Sequence, residues 1–329
     1  MKRSRVHSHA RGVVLSVSCA AALAACAAAR RDSAPLSITL PDLSAALEDR
    51  FPRGGAPADP VSGALFSRIN RDRAAHGLAP VLWDEAAAAL ARRTTRRQIA
   101  ERTNGHFLLD GLPPYARLSG GGDFGMGREN AAAFMSEAGR LHEPAEALAL
   151  RAQAEMMKET PPKDSHRRTI LDPEATHVGI GWAEQGGELR LAAEFTARGY
   201  ERLRVRRGGR AASIEVDGEA RPGALLRYAT VAREAVPTPI SRREANGRES
   251  YSYPAPRLMI LPEGSRERGV GIRTVHRLSL GPGAAFFFSY DFDAPGLWTF
   301  VLYFQRRGPG TPEAGASISV RVTGRRAGP

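Results

Sequence analysis

The run of residues 164–195, DSHRRTILDPEATHVGIGWAEQGGELRLAAEF, decides the fold of the chain. A short helical turn begins behind Ser165, a residue of the type that caps helix N-termini. Two apolar segments follow, residues 177–183 and 189–195, with Gln185-Gly186-Gly187 between them. Apolar runs that flank a glycine-rich turn predict two paired strands. The sequence therefore places a helix and then a strand pair at the end of an α/β unit.

Two histidines and two glutamates from four separate segments could meet in one cleft beside these strands. They are His106, Glu129, Glu159 and His166. The sequence contains no Ser-His-Asp order, no cysteine nucleophile and no phosphate-binding loop. These four side chains are therefore the candidates for chemistry, and most of the chain before residue 200 is the scaffold that would gather them.

The length and composition indicate a globular protein of two domains. A chain of 329 residues is long for one hydrophobic core, and 42% apolar with 25% charged residues is the balance of a folded protein. The formal net charge is +12, of which +8 remains when the four basic residues of the leader are set aside. The arginine pairs are short and scattered, which indicates solvated surfaces, and no segment resembles a nucleic-acid-binding module. Anionic envelope polymers or lipid head groups are the partners that this charge favours.

Residues 1–26 have the pattern of an export signal. A basic start precedes an apolar run, residues 13–25, which is shorter than the about 20 residues needed to span a bilayer. The run ends in Leu23-Ala24-Ala25-Cys26, the form of a lipobox, in which Cys26 would be lipidated and become the mature N-terminus. The alternative is an ordinary secretory signal cleaved among the alanines. The lipobox predicts a protein anchored to the bacterial cell envelope, at the outer membrane if the cell has one, because Ala27 and not aspartate follows Cys26.

Between the leader and residue 200 the pattern is mainly helical. Residues 27–57 are expected to be a linker that could hold one short helix, residues 40–51. Further helices are predicted at residues 61–76, 84–103, 129–137 and 144–159. The second of these begins behind Asp84, carries alanines on one side and arginines on the other, and is therefore expected to pack on a core.

Beyond Tyr200 the pattern changes to short alternating strands. Strands are predicted at residues 224–231, 257–261, 272–280, 284–292, 297–304 and 316–323. Short strands at regular spacing with Pro and Gly turns predict an all-β, immunoglobulin-like sandwich. No cluster of residues in this part suggests chemistry, and Phe286-Phe287-Phe288 is expected to belong to its core.

Several short segments before residue 200 follow one another in a characteristic order. They are Asn70-Arg71-Asp72-Arg73 with GLAPVLWD at residues 77–84, His106 with Asp110-Gly111, Glu129-Asn130-Ala131-Ala132, Ser165-His166-Arg167-Arg168-Thr169-Ile170-Leu171, Val178-Gly179-Ile180-Gly181 and Ala193-Glu194-Phe195. Together they resemble the CAP domain superfamily (SCP-like extracellular proteins) in its bacterial form, over about residues 60–200. The resemblance implies an α/β/α sandwich with a central mixed or antiparallel sheet.

Carried over by this resemblance, the cleft residues of the family are His106, Glu129, Glu159 and His166. Neutral imidazoles and carboxylates suit Zn²⁺ or another divalent metal, with His106 and His166 as ligands and an open position for water. A carboxylate beside that water would act as general base, so metal-assisted hydrolysis is one hypothesis. The other is a buried hydrogen-bonded network that braces the helices against the sheet.

Two departures from the family pattern concern this cleft. Met156-Met157-Lys158-Glu159 stands where the family often has a tryptophan before the second glutamate, and Glu155 is a rival to Glu159 for that role. Arg128 stands where glycine is usual, next to Glu129. A cation at that position is expected to lower the pKa of Glu129 and to oppose a bound metal ion.

The expected organisation has four parts and leaves three hypotheses for function. The parts are a lipoprotein signal at 1–26, a linker at 27–57, a CAP-like domain at 58–200 and a β-sandwich at 201–329. The first hypothesis is an exported, lipid-anchored binding module that holds a lipid, a glycan or an envelope protein and contacts the membrane through Cys26. The second is a metal-dependent hydrolase, and the third is a structural protein with a vestigial cleft.

Overall fold

The computed structural model describes residues 36–324, apart from residues 53, 211, 266–271 and 307. The expected signal peptide and Cys26 lie outside the described residues. Within the described part of the chain, every helix is too short or too polar to cross a membrane.

The described elements are six α-helices, one short 3₁₀ helix (Pro282–Ala284) and fourteen strands. The helices are α1 (Pro60–Ala75), α2 (Glu85–Glu101), α3 (Pro114–Gly120), α4 (Ala145–Lys158), α5 (Ser165–Ile170) and α6 (Arg242–Gly247). The strands are β1 (Leu36–Leu40), β2 (Leu47–Arg50), β3 (Leu82–Trp83), β4 (Met126–Met135), β5 (His177–Gln185), β6 (Glu188–Ala197), β7 (Tyr200–Arg207), β8 (Ser213–Ala220), β9 (Ala224–Glu234), β10 (Leu258–Pro262), β11 (Arg273–Leu280), β12 (Ala285–Asp291), β13 (Gly296–Arg306) and β14 (Glu313–Gly324).

Helices α1 to α5 and a four-stranded sheet of order β3-β5-β6-β4 form an α/β/α sandwich. Successive residues of a strand point to opposite faces of its sheet. On one face of β5, Val178 and Ile180 pack in a core with α1 and α4. On the other face, a methyl group added to Gly179 would lie 2.1 Å from the backbone nitrogen of Ala88. Helix α2 therefore lies directly on the backbone of β5, and both faces of the sheet are covered.

The predicted strand pair is present, and one predicted helix is wrong. Strands β5 and β6 pair antiparallel across a turn in which Gly186 and Gly187 both have positive φ, a conformation that glycine adopts readily. The helix expected at residues 129–137 is instead β4, which pairs along its whole length with β6. The ladder with β6 outweighs the helix propensity of the alanines in this segment.

The remaining strands form one ten-stranded sheet of order β1-β14-β13-β9-β10-β11-β12-β8-β7-β2. Neighbouring strands are antiparallel except β10 and β11. The sheet folds over itself, since Phe288 of β12 and Phe300 of β13 are four positions apart in the order yet their ring centroids are 6.0 Å apart. The prediction of an α/β unit followed by a largely all-β region is thus confirmed. Phe286 and Phe288 are buried in the shared core as expected, whereas the intervening Phe287 is exposed.

The expectation for residues 40–51 is wrong, because this segment contains strands and not a helix. Strand β1 pairs with β14 at one edge of the large sheet, and β2 pairs with β7 at the other edge. Ile38 of β1 is buried in the β core opposite Val322. The expected linker thus supplies both edge strands, and the α/β unit is inserted between the neighbouring strands β2 and β7.

A buried ionic cluster connects the two parts of the chain. Arg198, which follows β6, donates to the carboxylates of Asp49 at 2.5 Å, Asp84 at 2.5 Å and Asp123 at 2.9 Å. Asp49 belongs to β2, and Asp84 caps α2 by accepting from the backbone nitrogens of Ala86 and Ala87. The cluster therefore ties an edge strand of the β part to the first turn of a helix in the α/β part.

A candidate His/Glu cleft

His106 and Glu129 form the first half of the candidate site. The Nδ1 atom of His106 lies 2.8 Å from Oε1 of Glu129, and both residues are buried. Glu129 projects from β4, whereas His106 lies in the loop between α2 and α3. Because a strand backbone holds Glu129, the imidazole is oriented by a rigid partner.

Arg117 of α3 is the cation that neutralises Glu129. Its guanidinium donates to Oε2 of Glu129 at 3.0 Å and to the carbonyl oxygen of His106 at 2.8 Å. Burial alone would raise the pKa of Glu129, but Arg117 and the hydrogen bond from His106 hold that pKa at about 2. The expectation that Arg128 has this role is wrong, because its guanidinium forms an ion pair with Asp172 at 2.7 Å.

Glu159 and His166 form the second half of the site. Oε1 of Glu159 lies 2.5 Å from Nδ1 of His166, and Oε2 accepts from the backbone nitrogens of His166 at 3.0 Å and Arg167 at 3.3 Å. Glu159 thus caps the first turn of α5 and orients its histidine; the expectation that Ser165 is the cap is wrong, since Ser165 is itself the first helical residue. The rival Glu155 instead pairs with Lys158 on the exposed face of α4.

The C-terminal end of α5 is held by Arg73 of α1. This fully buried guanidinium donates to the carbonyl oxygens of Ile170 at 2.8 Å, Asp172 at 2.9 Å and Ala175 at 3.3 Å. Helix α5 is therefore fixed at both ends, by Glu159 and by Arg73. The second histidine of the cleft does not depend on a mobile loop for its position.

The two His/Glu pairs face a common cleft of about 240 Å³. The ring centroids of His106 and His166 are 6.5 Å apart, and the ring planes differ by 30°. The cleft is lined by His106, Arg128, Glu129, Asn130, Ser165, His166, Thr169, Glu249, Ser250, Tyr251, Ser252 and Tyr253. The structure therefore brings together all four side chains that the sequence suggested, although Glu159 reaches the cleft only through His166.

One wall of the cleft comes from the C-terminal part of the chain, which sequence reasoning did not connect with it. The hydroxyl of Tyr251 accepts from the backbone nitrogen of Glu129 at 2.6 Å, and its ring lies edge-on to His106 with centroids 5.1 Å apart. The hydroxyl of Tyr253 bonds both the nitrogen and the oxygen of Gly127. The only local signal is the Tyr-Ser-Tyr spacing, which places both rings on one side of an extended segment.

Sequence reasoning also missed Glu194 of β6. It lies opposite Glu129 in the sheet and is fully buried, with its carboxyl group next to that of Glu129. Burial raises the pKa of Glu194 well above its usual value, and the Glu129 carboxylate raises it further. The pair therefore carries one negative charge, which Arg117 balances. A glutamate within the apolar run LRLAAEF was the signal that could have identified it.

The donor atoms of the cleft fit a divalent metal only through two imidazole nitrogens. Each Nδ1 is occupied by a glutamate, an arrangement common in histidines that bind a metal through Nε2. Among the described residues, no group of three or more His, Cys, Asp or Glu side chains is placed to hold a metal ion. Zinc sites usually have three or four protein ligands. His106 and His166 could thus hold an ion only with solvent or substrate completing its coordination.

Comparison with known proteins gives one family match. Residues 66–195 match the model of the Cysteine-rich secretory protein family, CAP. No curated protein matches the chain.

Similar solved structures include an outer surface protein of Borrelia burgdorferi, with 17% identity over 43% of this chain and 96% of that chain and a TM-score of 0.36. They also include an extracellular SCP-domain protein of Bacillus anthracis, with 18% identity over 44% of this chain and 45% of that chain and a TM-score of 0.34. A cysteine-rich secretory protein of Staphylococcus aureus has 16% identity over 43% of this chain and 41% of that chain, with a TM-score of 0.30. The match spans less than half the length of the Bacillus and Staphylococcus proteins.

Proposed function

Residues 66–195 form a CAP domain, and from this premise we propose that the protein is an exported surface protein that binds a polar ligand in its His/Glu cleft. The leader pattern at residues 1–26 supports export, and the lipobox supports attachment of the chain to the cell envelope through Cys26. An anchored protein would present its cleft to the polymers of that envelope. The natural ligand is therefore a component of the envelope or of the surface outside it.

The observation that carries this proposal is the orientation of the two histidines. Their Nδ1 atoms are bonded to Glu129 and Glu159, whereas neither Nε2 atom has a protein partner in the described part of the chain. These ring edges remain available to a ligand in the cleft, as donor or acceptor according to the tautomer. Two oriented Nε2 atoms without a protein partner, in one concave site, are suited to bind a polar ligand.

The size and lining of the cleft select the kind of ligand. Drug-sized ligands occupy about 300–1,000 Å³, so a cleft of about 240 Å³ takes one polar unit of a larger molecule. Its lining contains amide, hydroxyl, imidazole and charged groups with two tyrosines, and no aliphatic side chain. An acyl chain would find only the two tyrosine rings as an apolar surface here. A sugar ring or the end of a peptide is the better fit, and a glycan or an envelope protein is thus favoured over a lipid tail.

The double variant His106→Gln/His166→Gln is expected to bind isolated cell-envelope fragments at least about tenfold more weakly than the wild type, measured by co-sedimentation. Glutamine keeps most of the volume, but its single amide cannot both bond the glutamate as Nδ1 does and hold a polar atom at the Nε2 position. His142→Gln is the matched control, since His142 is exposed and does not line the cleft. Equal retention of the double variant and the wild type would locate the binding outside the cleft.

A metal-dependent hydrolase is the second candidate, favoured by the carboxylate on each Nδ1. A divalent ion held by His106 and His166 would polarise a carbonyl group or activate water. In that chemistry Glu129 would orient its histidine and, because Arg117 keeps its pKa low, would remain ionised.

With two protein ligands, Zn²⁺ is expected to bind with a dissociation constant no tighter than about 1 µM, far weaker than a complete structural site. Isothermal calorimetry of the purified protein measures it, and His106→Gln/His166→Gln is expected to abolish the signal. Absence of binding by the wild type at millimolar Zn²⁺ would remove the hydrolase candidate and leave the binding module intact.

A further inference from the structure

A second cavity, of about 280 Å³, opens beside the His/Glu cleft. It is lined by Arg128, Arg167, Arg168, Leu171, Asp172 and Pro173. Arg128 lines both cavities, so the two are neighbours on one surface. We call the set Arg128, Arg167 and Arg168 the arginine pocket.

The arginine pocket has more cationic than anionic groups. Arg128 pairs with Asp172 at 2.7 Å, and Arg168 pairs more loosely with Asp164 at 3.3 Å. In the part of the chain that the structure describes, the side chain of Arg167 has no acidic partner; its Nη2 atom lies 3.4 Å from Nε2 of His76. Three guanidinium groups thus face two carboxylates, which leaves one positive charge.

The guanidinium groups of the arginine pocket are suited to bind a small anion. Each is planar and presents several N–H donors in a fixed fork that matches the oxygens of a carboxylate or a phosphate. The ion pairs with Asp172 and Asp164 use only part of these donors. Arg128 and Arg168 are also half-exposed or more, so an anion from solution can reach them.

From the proximity of the arginine pocket to the cleft we infer that the ligand is an acidic glycan, whose carboxylate or phosphate substituent binds Arg128, Arg167 and Arg168 while a neighbouring sugar occupies the His/Glu cleft. This inference rests on the proposed function of the cleft. A glycan is favoured over an anionic membrane because both cavities are concave, whereas a bilayer presents a flat face. One polymer can fill both cavities with adjacent units.

Two variants of equal charge test the arginine pocket. Arg167→Gln/Arg168→Gln removes two of its cations, and Arg96→Gln/Arg243→Gln removes two exposed arginines that line neither cavity. The first probe is polygalacturonate, with its uncharged methyl ester as the matched neutral polymer. The pocket variant is expected to bind polygalacturonate at least about tenfold more weakly than the wild type, and the control variant less than about twofold. The ester is expected to bind the wild type and the pocket variant equally.

The second probe is inorganic phosphate, followed by the Nε resonances of the arginine side chains in the wild type. Phosphate is expected to shift the resonances of Arg167 and Arg168 and to leave that of Arg96 unchanged. Equal weakening of polygalacturonate binding in both double variants would overturn the inference, because it would show attraction by net charge alone. Failure of both probes to perturb Arg167 and Arg168, or binding of these residues to anionic phospholipid vesicles only, would also overturn it.

The cleft itself is tested separately with the same polymer. If His106→Gln/His166→Gln loses binding while the pocket variant keeps it, the inference fails and the proposed function stands. If the pocket variant loses binding while the histidine variant keeps it, the proposed function of the cleft fails and with it the inference that one glycan fills both cavities, and only an anion site remains. Loss of binding in both variants is the expected result.

Discussion

Replacing Arg198 with methionine is expected to lower the free energy of unfolding by about 3–5 kcal/mol. The guanidinium is almost wholly buried and is the shared partner of Asp49, Asp84 and Asp123. Without it, three carboxyl groups remain in a low-dielectric interior with no cation between them. Urea denaturation followed by circular dichroism measures the loss. We expect strand β2 and the first turn of α2 to lose amide-exchange protection first, since Asp49 and Asp84 lie there.

The control for this prediction is Asp123→Asn, introduced into the wild type and into the Arg198→Met variant. Burial raises the pKa of Asp123 to about 7, although the charge of Arg198 opposes the shift. A carboxyl group whose pKa is raised on folding contributes stability below its unfolded pKa, and that contribution is lost as the pH rises to about 7. The wild type should therefore lose stability between pH 4 and 7 relative to Asp123→Asn. An Arg198→Met variant as stable as the wild type would contradict the structural role of the cluster.

Replacing Arg117 with methionine is expected to cost about 3–5 kcal/mol and to disorder the candidate site. Arg117 neutralises Glu129 and also holds the carbonyl oxygens of His106 and Leu112. Its loss leaves the carboxyl groups of Glu129 and Glu194 buried next to each other without a cation. Thermal unfolding measures the stability, and the nuclear magnetic resonance signal of the His106 ring reports whether its orientation is kept.

The dependence of the free energy of unfolding on pH, measured at acid pH, separates this electrostatic role of Arg117 from simple loss of packing. A carboxylate whose pKa is lowered on folding contributes stability above its unfolded pKa, here 4.5, and that contribution is lost as the pH falls towards about 2. The wild type is expected to show this loss, and Arg117→Met is not. Adding Glu129→Gln to Arg117→Met should restore part of the stability, since the unpaired charge is removed. A double variant no more stable than Arg117→Met alone would show that packing dominates.

Much of the CAP domain could be predicted because its signals are local. The Asp84 cap of α2, the helix periodicity of α1, α2 and α4 and the glycine turn between β5 and β6 depend on residues close together in the chain. The family resemblance is confirmed by the match over residues 66–195. The prediction of a helix at residues 129–137 was wrong for the opposite reason, because β4 exists through its ladder with β6, about 60 residues later in the sequence.

The sequence by itself determined helices α1, α2, α4 and α5, the paired strands β5 and β6, the β character of the C-terminal part and the four side chains of the two His/Glu pairs. Only the tertiary structure decided which other groups surround these four side chains. Arg117 and not Arg128 neutralises Glu129, because the side chain of Arg128 reaches Asp172 instead. Tyr251 completes the cleft from 122 residues further along the chain, and β1 and β2 join the distant β sheet. Such contacts follow from the docking of one element against another, and no local pattern of polarity or spacing encodes them.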